Sequence, residues 1–396
     1  MGAVTALTYS PLQRSRGMRD MLPGEMRAFR RVEDAFRAAS ARWGYEEIRT
    51  PTIELYSLYT NAGALTPAML SRVYSFLDWD GWSGERVVLR PDSTIPVARA
   101  AAEAGLALPA RLSYVQNVFR FSEHEDREDW QCGLEFLGAP AGTGDLEVIA
   151  AGCETLEELG LVPAVRVGHV GVHKAVAGQL GANGHGHSDA GLAGLRASVT
   201  DARLAGFVDV ALREARGIEL LGNLEALAAA CLPAALPALA DVRGLAEALV
   251  ASGRDVIIDL GMPRDFEYYT GVVFEFEAGG ARWGTGGRYA PGGEGTPATA
   301  CGLAIEAGAL ARHLTPGTRR PLTVSVVPAT SAHLAEAMRV ARGLHPFGIA
   351  AALAAEEGDG PITVHVGNGV LRAVTPDGET PIEALDDLVG LCIRYK

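Results

Sequence analysis

The sequence predicts an α+β protein: an antiparallel sheet with helices packed on one face, followed by a small α/β domain. Two observations carry this. Between about residues 84 and 137 the strand candidates are grouped rather than alternating with helices, which argues against a doubly wound sheet. Beyond "TPGTRRP" a fresh β-α-β-β-β-α pattern begins. At ~150 residues per domain, 396 residues suggest two or three domains, each able to bury its own core. We read 1–315 as one body with a helical insertion at about 162–252, 316–321 as a linker and 322–396 as the small domain.

In chain order, "PGEMRAFRRVEDAFRAASARWG" places Phe29, Val32, Phe36, Ala39 and Trp43 at helical spacing, with Pro23 and Gly24 before it and Gly44 ending it. "YEEIRTPTIE" is extended, with Pro51 holding it to a strand or edge. "RVVLRP", "RLSYVQNVFRF" and "QCGLEFLG" are strands by β-branched and aromatic content, and "DLEVIAAGCETLEELG" returns to helical periodicity. From about Val162 to Ser252 the chain is Ala/Leu-rich and reads as mostly helical, interrupted by "GANGHGHSDAG". His185 and His187 in that loop lack acidic or thiol partners, so a solvated loop is the better reading than a metal site. "DVIIDLG" and "YYTGVVFEFEAG" resume strand character. The glycine-dense "WGTGGRYAPGGEGTPATACG" reads as a loop leading into "LAIEAGALARHL"; it lacks the dinucleotide spacing and fits a hairpin or a close backbone approach to a ligand. The final segment contains "LTVSVVP", "SAHLAEAMRVARGL", "GIAAALAA", "ITVHVGN", "LRAVTP" and "IEALDDLVGLC".

Composition excludes several classes. With 48% hydrophobic and 21% charged residues the chain is globular, and no apolar run approaches the ~20 residues that span a bilayer. Residues 1–16 lack the layout of a secretory signal. Cys132, Cys153, Cys231, Cys301 and Cys392 form no C-x-x-C pair, so neither disulfides nor zinc are implied; a cytoplasmic protein is expected. The formal charge is −13, and arginine supplies every cation except Lys174 and Lys396. Without a basic run, a nucleic-acid partner is disfavoured.

The chemistry lies in polar residues set inside apolar strands. Asp92 and Thr94 stand two apart in "VVLRPDSTIPVAR", Arg120 in "VFRF", Gln131 and Glu135 in "WQCGLEFLG", and Tyr268 and Tyr269 in "EYYTGVVFE". Buried charges are costly unless they are paired or face a cavity. Converging on one sheet face, these groups would suit a small zwitterion, with Arg120 forked onto its carboxylate and Asp92, Thr94 and Gln131 receiving its ammonium. Each also has a plainer reading. Asp92 can cap the helix "STIPVARAAAEAG", Arg120 and Glu135 can pair with each other, and the tyrosines can be sheet-face packing.

"RGMRDMLP", "WGYEEIRTPTIE", "LRPDSTIPVARA", "VFRF…QCGLEFLG", "YYTGVVFE" and "GGRY", in this order between residues 16 and about 310, resemble the motifs of histidyl-tRNA synthetase. The resemblance implies a class II aminoacyl-tRNA synthetase-like fold with a histidine pocket. Asp92 (Glu in the synthetases), Thr94 and Gln131 would hold the amino group and Arg120 the carboxylate. Glu135, Tyr269 and Tyr289 would surround the imidazole, beside Tyr268 and Arg264. It also implies a homodimer with "WGYEEIRTP" at the interface.

The departures from the synthetases concern ATP. Where they carry a longer basic loop, this chain has "FSEHEDREDW", whose Glu123, Glu125, Asp126, Glu128 and Asp129 should repel a triphosphate. Ala309 in "GLAIEAGAL" stands where a nucleotide-stacking arginine is expected, although Arg264 matches the catalytic arginine. The 322–396 segment resembles a degenerate anticodon-binding domain, with "GIAAALAAEEGDGPITVHVG" joining two strands where a helix is expected. This combination resembles the non-catalytic regulatory subunits of ATP phosphoribosyltransferase. The resemblance implies no cofactor, histidine as ligand, and a homodimer within a hetero-oligomer with a short catalytic subunit that receives feedback regulation. Most such relatives are expected to end near residue 320, which makes the C-terminal domain unusual. The alternatives are a synthetase with aberrant ATP motifs and a synthetase-derived scaffold that binds no amino acid.

Overall fold

The computed structural model describes residues 14–61, 67–79, 84–123, 125–181, 191–262, 268–292, 296–314, 323–355 and 361–395. His185, His187, Arg264 and the expected 316–321 linker lie outside them. The chain divides into two compact units, Met1–Pro316 and Gly317–Lys396.

The first helix, Pro23–Arg42, follows its periodicity: Phe29, Val32, Phe36 and Ala39 are buried. It stops where Gly44 takes a left-handed φ of +76°, a conformation that suits glycine. The described strands of this unit are β1 (Glu46–Glu47), β2 (Ile53–Leu55), β3 (Ser75–Trp79), β4 (Gly84–Leu89), β5 (Ala110–Phe119), β6 (Glu128–Leu137), β7 (Ala164–His169), β8 (Ala215–Arg216), β9 (Asp255–Ile258), β10 (Tyr269–Ala278), β11 (Ala281–Tyr289) and β12 (Ala300–Glu306). A nine-stranded sheet runs in the order β1-β5-β6-β12-β11-β10-β7-β9-β8, and β2-β4-β3 form a separate three-stranded sheet. The centre of the large sheet, from β5 to β7, is antiparallel as expected. Towards its edges it is mixed, because β1 joins β5 and β9 joins β7 in parallel.

Helices cover one face of this sheet. Phe29, Phe36, Val148, Ile149, Leu239 and Val242 from three helices share a core with Phe274, Phe276 and Leu303 from the strands. The other face carries the Thr94–Glu103 helix and a smaller cluster that includes Tyr59, Val88, Ile95, Tyr114, Tyr268 and Tyr289. Arginine pairs tie the elements together. Arg166 bridges Asp259 (3.0 Å) and Glu277 (2.8 Å), Arg111 meets Glu147 (2.7 Å), and Arg243 meets Glu225 (2.6 Å).

Two readings of this unit are refined by the structure. The 162–252 segment is mostly helical, and it opens with β7, a strand of the main sheet whose Ala164, Val165 and Val167 are buried. The glycine-dense run is not a loop at its start, because β11 occupies Ala281–Tyr289 and "LAIE" belongs to β12, leaving only Ala307–His313 helical. The hairpin turn lies just before that run, at Gly279 and Gly280, both with positive φ. Glycine weakens a strand signal for lack of a side chain to pack, which is why composition misreads β11.

In the second unit β13 (Thr323–Pro328) lies between β14 (Ala350–Leu353) and β15 (Ile362–Gly367), parallel to both. Next come β16 (Val370–Thr375) and β17 (Gly378–Ile382), each antiparallel to its predecessor. β17 is an added strand that the sequence pattern did not reveal. Its Gly378, Glu379, Thr380 and Pro381 are exposed and leave no apolar alternation to read. Helices Leu334–Leu344 and Leu385–Arg394 contribute Ala337, Ala341, Leu344, Leu388 and Cys392 to this unit's core.

Two helical glycines test the packing. A Cβ on Gly152, in helix Thr143–Glu158, would sit 2.5 Å from Phe276 Cζ and 2.9 Å from a methyl of Leu303, whereas one on Gly244 would meet nothing within 4 Å. Alanine gains roughly 0.5–1 kcal/mol of helix propensity at either position. Overpacking costs about 1–3 kcal/mol and outweighs that gain at Gly152. Denaturant midpoints are expected to fall for Gly152→Ala and to rise for Gly244→Ala.

Candidate functional site

The open face of the large sheet holds a pocket enclosing about 580 Å³ of space between atoms, its mouth included. Its lining includes Asp92, Thr94, Arg120, Gln131, Glu135, Tyr268, Tyr269 and Tyr289, so eight of the nine expected residues meet here. The ninth, Arg264, falls outside the described residues.

The floor is built from β6, β12 and β11, and it is flat because glycines stand where side chains would rise. A Cβ on Gly133 would overlap the Tyr114 ring at 2.1 Å, and one on Gly302 would overlap Glu135 Oε2 at 2.1 Å. One on Gly287 would come within 2.9 Å of the Tyr269 ring. Glu135 can therefore lie flat across β12, fully buried. The Tyr289 hydroxyl donates to its Oε2 at 2.6 Å and the Tyr114 hydroxyl to its Oε1 at 3.3 Å, with the Thr94 hydroxyl also in reach. Burial outweighs these donors and pushes the carboxyl up to about 8. The partners of this carboxyl that we describe are thus hydroxyls.

Asp92 combines its two sequence readings. Its Oδ1 accepts from the Ile95 amide at 3.3 Å at the start of the Thr94–Glu103 helix, and its Oδ2 accepts from the Tyr268 hydroxyl at 3.4 Å inside the pocket. Burial raises its pKa, opposed by the positive charge of Arg120 and by the helix amides. Tyr59 fixes the turn by donating to the Asp92 carbonyl at 2.8 Å. Arg120 is held from behind, its Nε donating to the Pro91 carbonyl at 2.8 Å. Gln131 is buried, and its Oε1 has no hydrogen-bond partner. A buried acceptor left unmet costs about 1–3 kcal/mol, so Gln131 is a place where a donor belongs. Tyr268 packs against Tyr269 (4.9 Å between ring centroids) and against Tyr289 (5.5 Å), closing one wall.

Sequence reasoning missed Tyr114, Arg282, Thr285 and Glu306, which also contribute to the site. Tyr114 carries a signal in retrospect, since it lies opposite Gly133 across β5 and β6. The acidic loop differs from the expectation of a bare negative field. Asp126 faces Arg19 (3.6 Å) and Arg312 (3.5 Å), Glu125 faces Arg72 (3.8 Å), and burial raises the pKa of Asp129. Ala309 packs half-buried against the helix-side core. Behind the floor, Arg288 bridges Asp145 and Asp241 (2.8 Å to the latter) and so clamps β11 to two helices.

Among the described residues no cluster of His, Cys, Asp or Glu could hold a metal ion, and no helix is long and apolar enough to cross a membrane.

Comparison with known proteins gives the family and the fold. A family model described as histidyl-tRNA synthetase matches residues 17–310. An ATP phosphoribosyltransferase regulatory subunit from Dehalococcoides mccartyi is 41% identical over 300 residues, covering 70% of this chain and 71% of the relative. One from Gloeobacter violaceus is 33% identical, and that alignment covers 92% of this chain and 96% of the relative. Such coverage has to pass residue 320, so relatives do not all end there and the C-terminal unit is no oddity of this chain. The crystal structure of an ATP phosphoribosyltransferase regulatory subunit/histidyl-tRNA synthetase from Bacillus halodurans superposes with a TM-score of 0.72 at 28% identity, over 87% of this chain and 93% of that one. The fold is that of the class II histidyl-tRNA synthetases, and the chain belongs to the ATP phosphoribosyltransferase regulatory subunits within that family.

Proposed function

We propose that this chain binds L-histidine and passes feedback inhibition to a short ATP phosphoribosyltransferase catalytic subunit in the first step of histidine biosynthesis, without catalysing a reaction itself. The observation that carries this is the set of buried acceptors, Asp92, Gln131 and Glu135, lining one pocket with the Arg120 guanidinium. A histidine zwitterion answers each group. Its carboxylate goes to Arg120, its ammonium to Asp92, Thr94 and the unmet Gln131 oxygen, and its imidazole to Glu135 between Tyr269 and Tyr289. The names of the relatives support the partner. Feedback needs only that histidine bind one state of the assembly better than another, by a coupling of ~1–3 kcal/mol.

Calorimetric titration with histidine is expected to saturate and to be unchanged by ATP. Arg120→Ala is expected to weaken binding roughly a hundredfold or more, since it strands a buried carboxylate. No saturable binding would leave the scaffold reading. Histidine-dependent ATP–pyrophosphate exchange would restore the synthetase reading, which the family description favours.

The proton balance predicts a pH window. In the free protein Glu135 keeps its proton up to about pH 8. Free imidazole loses its proton near ~6.5. The bound pair, imidazole against Glu135, shares one proton. Below the imidazole value binding must release a proton, and above about 8 it must take one up. Affinity is therefore expected to peak between these limits and fall on both sides, and Glu135→Gln should move the alkaline limb to where the ligand's own ammonium loses its proton.

A homodimer is the second part of the proposal. Tyr45 and Thr50 of "WGYEEIRTP" face the interior, but Glu46, Glu47, Arg49 and Pro51 stay exposed beside the three-stranded sheet. On that sheet Ile53, Leu55, Leu77 and Trp79 are 43–65% exposed. The register sets Leu77 and Trp79 together on one face of that sheet and Ile53 and Leu55 on the other, and exposed apolar side chains of this size favour a contact surface. Sedimentation is expected to give twice the chain mass, and Leu77→Asp with Trp79→Ser to shift it towards the monomer.

A further inference from the structure

The register of the floor gives the pocket a direction. Across β6 and β12, Glu135 lies opposite Gly302 and Gln131 opposite Glu306. Four residues of strand separate these pairs by about 14 Å. Glu135 marks the buried inner end. Arg120 follows directly on Phe119, which pairs with Glu128, so the carboxylate clamp belongs to the Gln131 end. There the rim carries a second guanidinium. Arg282 sits 3.6 Å from Glu306 and 3.2 Å from Glu275, with side chains 44% and 32% exposed for Arg282 and Glu306.

Strict alternation would not have put Arg282 there. Thr285 and Tyr289 face the pocket, so an unbroken strand would aim Trp283 into it and Arg282 away. The ladder instead steps from Phe276 opposite Gly284 to Glu277 opposite Arg282, leaving Trp283 as an extra residue. This bulge turns Trp283 into the helix-side core and Arg282 onto the pocket rim.

We propose that the Arg282–Glu306 pair is a specificity filter that admits a free amino acid and rejects any ligand extended at its carboxyl end, above all a peptide beginning with histidine. The inference rests on the amino-acid reading above. A ligand whose carboxylate meets Arg120 has its carboxyl end beside Gln131, and anything appended there runs into Glu306 on the opposite strand. A dipeptide brings its own terminal carboxylate to that point. Glu306 repels it, and Arg282, whose charge Glu275 and Glu306 already engage, does not compensate. For a sensor of free histidine this discrimination is useful, because an N-terminal histidine presents the same ammonium and imidazole.

The test is calorimetry or competition on the full chain with L-histidine and L-histidylglycine. The parent is expected to prefer histidine by roughly a hundredfold. Glu306→Ala should narrow that ratio at least roughly tenfold by freeing Arg282 for the peptide carboxylate, and adding Arg282→Ala should restore part of it. Glu306→Gln, which keeps size and loses charge, should narrow the ratio less than alanine and serves as well if the alanine variant does not fold. A parent that binds both ligands alike overturns the filter while leaving the amino-acid reading intact. A ratio unchanged in both Glu306 variants that still bind histidine does the same. A parent that binds neither ligand overturns the amino-acid reading, and the filter with it.

Discussion

A carboxyl group lying flat on the middle of a sheet, out of reach of water, is the constraint around which this protein is arranged. Glu135 can be there only if hydroxyls surround it, and the hydroxyls can be there only if the strands beneath them have no Cβ. Gly133 makes room for Tyr114, Gly302 for Glu135 itself, and Gly287 for Tyr269. The glycine content of three central strands is thus a requirement of the pocket and not a looseness of the sheet. The opposite face of the same strands takes on the stabilising role, with phenylalanines and leucines packed against the helical layer.

The two faces are joined by alternation. Tyr289 donates to Glu135, while its neighbour Arg288 points the other way, into Asp145 and Asp241. An arginine held by two carboxylates on two helices fixes the peptide that positions the tyrosine. The polar groups on the pocket side, some of them unmet, would otherwise favour local rearrangement.

The sequence made the arrangement of the large unit legible where side chains carried the signal. The first helix could be read from Phe29, Val32 and Phe36, and β5 and β6 from their aromatic and β-branched runs. The pocket could be read as well, because charged and phenolic residues at even spacing inside apolar strands are too costly to bury unless they face a cavity or one another. Family motifs then assigned their roles. What stayed hidden has physical causes. β11 is spelled largely in glycine, and β17 is too exposed to alternate. β7 follows a helix within an alanine-rich stretch that hides its strand character. Arg282 was hidden by a bulge, since period-two counting places it on the wrong face.

The ion pairs that tie the elements together have arginine as their cation, in a chain with only two lysines. A guanidinium keeps its charge at any pH where a protein stays folded, whereas an ammonium does not. The cationic half of these arginine bridges is therefore constant, and their response to acid originates in the carboxyls. Acylation of primary amines, which erases lysine charges, finds nothing in these bridges to act on.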